Sequence, residues 1–193
     1  MIALSIAVLA VSMCYALWHM NVSFLVAKGS VEPPIVNVST IMLNLGNLSS
    51  GELYWINGTN TTLTIKNVGK LGLVAHVDPS DVYVSPNIAF MCLNATISKN
   101  GKDLETICIV HDGTQNATIV FYAPCIVEVE TSGNTVVIRF VPASRQKIVP
   151  LPSGNYMITV KGLVVTGYTD KPTPTTISIT LELIQPKISV GID

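Results

Sequence analysis

The sequence predicts an all-β protein, an antiparallel β-sandwich, on three observations. From Pro33 onward, Val, Ile and Thr recur in short runs cut by Gly, Pro, Asn and Asp, the spacing of strands and turns rather than of helices. Apolar and polar residues alternate strictly in Leu63-Thr64-Ile65-Lys66 and in Ile177-Ser178-Ile179-Thr180-Leu181-Glu182-Leu183. Successive strand side chains point to opposite faces, so these runs have one dry and one wet face. The chain of 193 residues is also long enough to bury a core as one domain.

Residues 2–17 carry no charge. The run is short for a membrane span of about 20 residues and suits the apolar region of a signal peptide. Cleavage after Ala16 leaves Leu17 as the mature start, so residues 1–16 are read as a leader touching the membrane transiently. No Lys or Arg precedes the run, and retention as an uncleaved anchor is the competing reading.

Trp18, Met20, Val22, Phe24 and Val26 follow at every second position, with His19, Asn21 and Ser23 among the residues between them. That is a strand with no neighbour in sequence to pair with. Its expected sheet belongs to another copy of the same chain. Lys28-Gly29-Ser30-Val31-Glu32-Pro33-Pro34 then reads as a linker, giving a donor strand and linker over 17–34 and a sandwich domain over 35–193.

Within that domain the expected strands are Ile35–Leu45, Glu52–Ile56, Thr61–Asn67, Leu71–Asp78, Val82–Val84, Ile88–Ser98 and Lys102–His111. Ala117–Tyr122, Ile126–Glu130, Thr135–Val141, Asn155–Thr166 and Thr175–Ile184 complete the set. Asn57-Gly58, Asn67-Val68-Gly69, Asn100-Gly101, Asp112-Gly113, Ser132-Gly133-Asn134 and Ser153-Gly154-Asn155 mark the loops. A three-residue turn Lys99-Asn100-Gly101 pairs Ser98 with Lys102 and sets Cys92 opposite Cys108, at bridging distance on one face. The expected disulfide is Cys92–Cys108. The same register puts Asn94 on the cysteine face, exposed, and turns Leu93 and Ile97 into the core.

Charged residues make up 12% of the chain and the net charge is −1, about half the charged share of an ordinary domain. Nucleic-acid binding and a basic lipid-binding face are excluded on that balance. A surface so poor in charge needs another cover, and Asn-x-Ser/Thr sequons stand at Asn21, Asn37, Asn47, Asn57, Asn60, Asn94 and Asn116. They predict N-linked glycans on an extracellular protein.

No catalytic constellation assembles. His19, His76 and His111 lie in no metal-ligand spacing, and the zinc-protease and nucleophile-elbow patterns are absent. No His follows Cys125, so the Cys-His-Met loop of a blue-copper site is missing. The expectation is a non-enzymatic protein without cofactor or metal.

Leu43-Asn44-Leu45-Gly46-Asn47-Leu48-Ser49-Ser50-Gly51-Glu52, followed by Leu63 through Asn67-Val68-Gly69-Lys70-Leu71, has a recognisable order. It resembles the TasA/camelysin family of biofilm fibre subunits and the archaeal bundling pilins. That family shows Asn-Leu-x-x-Gly-Asp/Glu, a strand, and Asn-x-Gly-x-Leu. Phe24-x-x-Ala27-x-Gly29-x-Val31 is similar to the family's start, and the match spans about residues 16 to 78. The resemblance implies a jelly-roll domain, a cleaved signal peptide and an N-terminal strand inserted into the next subunit. The leading expectation is therefore a filament subunit polymerising by donor-strand complementation, with copies of itself as partner. A membrane-anchored surface domain that binds a ligand or envelope partner is the alternative. Against it, His19, Asn21 and Ser23 would be scattered around the helix it requires.

Overall fold

The computed structural model describes residues 35–37, 40–132, 135–144, 148–169 and 174–186, within a unit running from Pro34 to Asp193. Residues 1–16, read as a leader, the segment Trp18 to Val26 and Asn21 lie outside the described residues. The described part is all-β, with one three-residue 3-10 turn at Pro79–Asp81 capped by the Asp78 carboxylate, which accepts from Ser80 N–H. No helix among the described residues is long and apolar enough to cross a membrane.

The strands are β1 (Ile35–Asn37), β2 (Ile41–Asn47), β3 (Leu53–Lys66), β4 (Val74–His76), β5 (Val82–Val84), β6 (Ile88–Lys99) and β7 (Lys102–Asp112). They continue as β8 (Ala117–Phe121), β9 (Cys125–Ser132), β10 (Thr135–Pro142), β11 (Gly154–Thr166), β12 (Pro174–Ile179) and β13 (Glu182–Ile184). One antiparallel sheet of six strands runs β1-β3-β11-β6-β7-β8. Across the core lie a three-stranded sheet, β2-β12-β5, and the pair β13-β4. The main core holds Leu63 and Ile65 of β3, Leu93 and Ile97 of β6, Ile107 and Ile109 of β7 and Ile158 of β11, with Ile41, Leu43, Ile177 and Ile179 from β2 and β12. The alternation read at 177–183 thus faces inward: Ile177, Ile179 and Leu181 are each 1% exposed or less. Leu93 and Ile97 are core residues, as expected from the hairpin reading.

Four expected boundaries move. The run 35–45 divides into β1 and β2, which join different sheets. Strands 52–56 and 61–67 are one strand, β3, because Asn57-Gly58 makes a bulge instead of a turn. Asn57 and Thr59 pair with Lys161 and Val160, leaving Gly58 as the extra residue at φ +113°. The run 71–78 shortens to β4, and the run 175–184 breaks between β12 and β13.

The β6–β7 hairpin differs from its expected register in two places that nearly cancel. Asn100 and Gly101 have φ of 52° and 77°, so the turn has two residues of the type I′ form and pairs Lys99 with Lys102. Alone, that turn would put Cys92 and Cys108 on opposite faces. A bulge follows at once: Ser98 pairs with Asp103 and Ile97 with Glu105, leaving Leu104 over. The extra residue restores the face, and the net shift of two sets Cys108 opposite Asn94 and Cys92 opposite Val110.

Candidate functional site

Beyond the main core, the other face of the six-stranded sheet carries a smaller cluster at its β6-β7-β8 end. Cys92, Cys108, Val110 and Cys125 form it, with Phe90, Phe121, Val127 and Phe140 packed around them. The β9–β10 hairpin supplies the cover. It is paired from Thr135↔Ser132 to Pro142↔Cys125 and held down at its base by Asn94. The Asn94 amide donates to the Cys125 carbonyl at 2.8 Å, and its side-chain oxygen accepts from Cys125 N–H at 2.9 Å. Ala143 N–H also donates to the Pro124 carbonyl at 2.8 Å.

The disulfide in this cluster joins Cys108 to Cys125, with Cα atoms 5.8 Å apart. Cys92 is a free, buried thiol, so the expected Cys92–Cys108 bridge is corrected. Because Cys108 faces Asn94, which grips Cys125, the hairpin base brings Cys125 in as the nearer partner. Cys92 Sγ remains 3.8 Å from Cys108 Sγ, and the three sulfurs all lie within 4.8 Å of one another. Burial pushes the Cys92 thiol up to about 11, which keeps it protonated and unreactive near neutrality. Non-reducing peptide mapping should therefore yield one linked pair containing Cys108 and Cys125, with Cys92 labelled only after unfolding; a linked Cys92–Cys108 pair would overturn the assignment. A bridge spanning 17 residues contributes roughly 3 kcal/mol in the chain-entropy account, so Cys125→Ser should lower the unfolding midpoint clearly.

Among the described residues β8 is the last strand of its sheet, so one row of its backbone groups faces away from β7. Beside it runs an open groove of about 350 Å³ lined by Val120, Phe121, Tyr122, Ala123, Pro142 and Ala143. Ile119 on β8 and the cross-strand pair Ile126 and Val141 on the hairpin are 50%, 60% and 52% exposed. An apolar groove beside a strand edge that no described strand pairs suits an added strand.

The two described histidines, His76 and His111, are held by hydroxyls. His76 Nδ1 meets the Tyr122 hydroxyl at 2.6 Å, and His111 Nδ1 meets Thr118 Oγ1 at 3.0 Å. Burial lowers the His111 pKa, against a smaller opposing effect of Asp112. Sequence reading passed over Glu105, which is 2% exposed with no hydrogen-bond partner for either carboxylate oxygen among the described residues.

Burial raises the Glu105 pKa from 4.5 to about 7. A raised carboxyl favours the fold fully below its unfolded value, and that contribution is lost as pH rises through the folded one. Wild-type stability should accordingly fall by on the order of 2–3 kcal/mol between pH 4.5 and 8. Glu105→Gln should flatten that slope in urea titrations at the two pH values, and an unchanged slope would refute the assignment.

Among the sequons, Asn47, Asn57, Asn60 and Asn116 are exposed. Asn57 and Asn60 lie within β3, whereas Asn116 sits at φ 48° in the β7–β8 turn. Asn37 falls in β1, where the backbone alone is described. Asn94, expected to be exposed, is half-buried. Its amide nitrogen is engaged by Cys125, so in the folded chain it does not present a free acceptor.

No protein-family model, curated protein or solved structure matches this chain.

Proposed function

We propose that this chain is the structural subunit of an extracellular filament that polymerises by donor-strand complementation. In this reading the sandwich is a jelly roll, residues 1–16 are removed on secretion, and Trp18 to Val26 adds to the free edge of β8 in the next subunit. The observation that carries it is the β8 edge, left unpaired among the described residues, with its apolar groove. An added strand satisfies a row of backbone groups while alternate side chains enter the groove. Each subunit gives one strand and receives one, so the contact is head-to-tail and growth need not close. Glycans on the exposed sequons cover a surface that has few charges.

A protein starting at Ser30 should be monomeric in sedimentation and should form no filaments in negative-stain micrographs. A peptide spanning Leu17 to Lys28, added in excess, should bind it and raise its melting temperature. Normal filaments from the shortened protein would refute strand donation by this segment.

A further inference from the structure

We propose that Cys92, Cys108 and Cys125, in their thiol form, make a three-sulfur site for one soft cation of the copper(I) type. The disulfide and the ion are then alternative occupants of one cluster. A metal–sulfur bond of about 2.3 Å places two sulfurs on one ion roughly 3.8–4.0 Å apart. Cys92 and Cys108 already stand at 3.8 Å, and the third sulfur lies within 4.8 Å of both. Opening the Cys108–Cys125 bond asks Cys125 Sγ to rotate away, while Asn94 keeps the Cys125 backbone in place.

Coordination number selects the ion. Among the described residues no fourth His, Cys, Asp or Glu joins the three sulfurs. Structural zinc sites take four ligands, whereas copper(I) is selected by soft thiolates. Phe90, Phe121, Val127 and Phe140 exclude water around the site. Access is short: Phe121 stands opposite Cys108 and Pro142 opposite Cys125, and both line the groove.

On binding, thiol protons pass to solvent as copper–sulfur bonds form. Formation of the disulfide from the ion-bound thiolates removes two electrons from Cys108 and Cys125. An oxidant such as a small disulfide takes up those electrons with two protons from solvent and becomes two thiols, while Cys92 regains a proton and the ion is released.

The test uses the full chain, reduced and held without oxygen, titrated with copper(I) against a bicinchoninate competitor. One equivalent should bind, with a thiolate-to-copper absorption that saturates there. The untreated disulfide-bonded chain should leave all copper with the competitor. Reduced Cys92→Ala should bind at least tenfold more weakly, and its oxidised form, which keeps the Cys108–Cys125 bridge, serves as the folding control by circular dichroism. Equal affinity in the oxidised chain, equal affinity in Cys92→Ala, or no uptake by the reduced chain overturns the proposal.

Discussion

A Phe24→Asp chain is expected to leave the cell, fold as a monomer and form no filaments. In the proposed assembly Trp18, Met20, Val22, Phe24 and Val26 enter the groove of the neighbouring subunit. Burying a large apolar side chain fully is worth about 1.5–3 kcal/mol, so five supply on the order of 10 kcal/mol before the cost of ordering the strand. Aspartate at the fourth of these five positions removes one of the largest contributions. It also places a charge in a dry groove without a partner, a penalty of several kcal/mol. Asn21→Asp, on the wet face of the same strand, should assemble normally. Electron microscopy and sedimentation of the two purified variants decide the matter. Filaments from Phe24→Asp in normal number and length would exclude this strand as the polymer contact.

Much of the sandwich was legible because its strands obey local rules. The alternation at 63–66 and 177–183 and the Asn-Gly turn at 100–101 each arise from neighbouring residues, and each appears where the pattern puts it. What escaped depends on strands distant in sequence. Asn57-Gly58 looks like a turn until β11 pairs along the whole of β3 and absorbs Gly58 as a bulge. The cysteine pairing turned on a similar point. The bulge at Leu104 kept Cys92 and Cys108 on one face, while the β9–β10 hairpin, folding back from beyond β8, brought Cys125 to Cys108. Asn94 reads as a sequon in isolation and becomes a clamp once Cys125 lies beside it. Glu105 was invisible as a buried carboxyl because a single acidic residue in an alternating strand normally marks the wet face.

Gly162→Ala should be among the most damaging single changes in the chain. The residue lies midway along β11, a central strand paired with β3 on one side and β6 on the other. Its partners are Ile56 and Leu93, and its φ of 154° is one that L side chains rarely adopt. A β-carbon there would overlap the carbonyl oxygen of Cys92 and approach Leu93 Cα to 2.8 Å. Both obstacles are backbone, so no side chain can swing aside. Relief requires β6 to part from β11, next to the three cysteines and the middle of the main core. A glycine inside a strand pattern is the sequence sign of such a close approach. The expected loss is about 4–5 kcal/mol, a large part of a typical stability of about 5–15 kcal/mol. Gly69→Ala is the control: nothing lies within 4 Å of its added carbon, and the change should stay within about 0.5 kcal/mol. Urea unfolding of both variants beside the parent provides the measurement. A Gly162→Ala protein with the parent's midpoint would show that β6 and β11 are not held this close in solution.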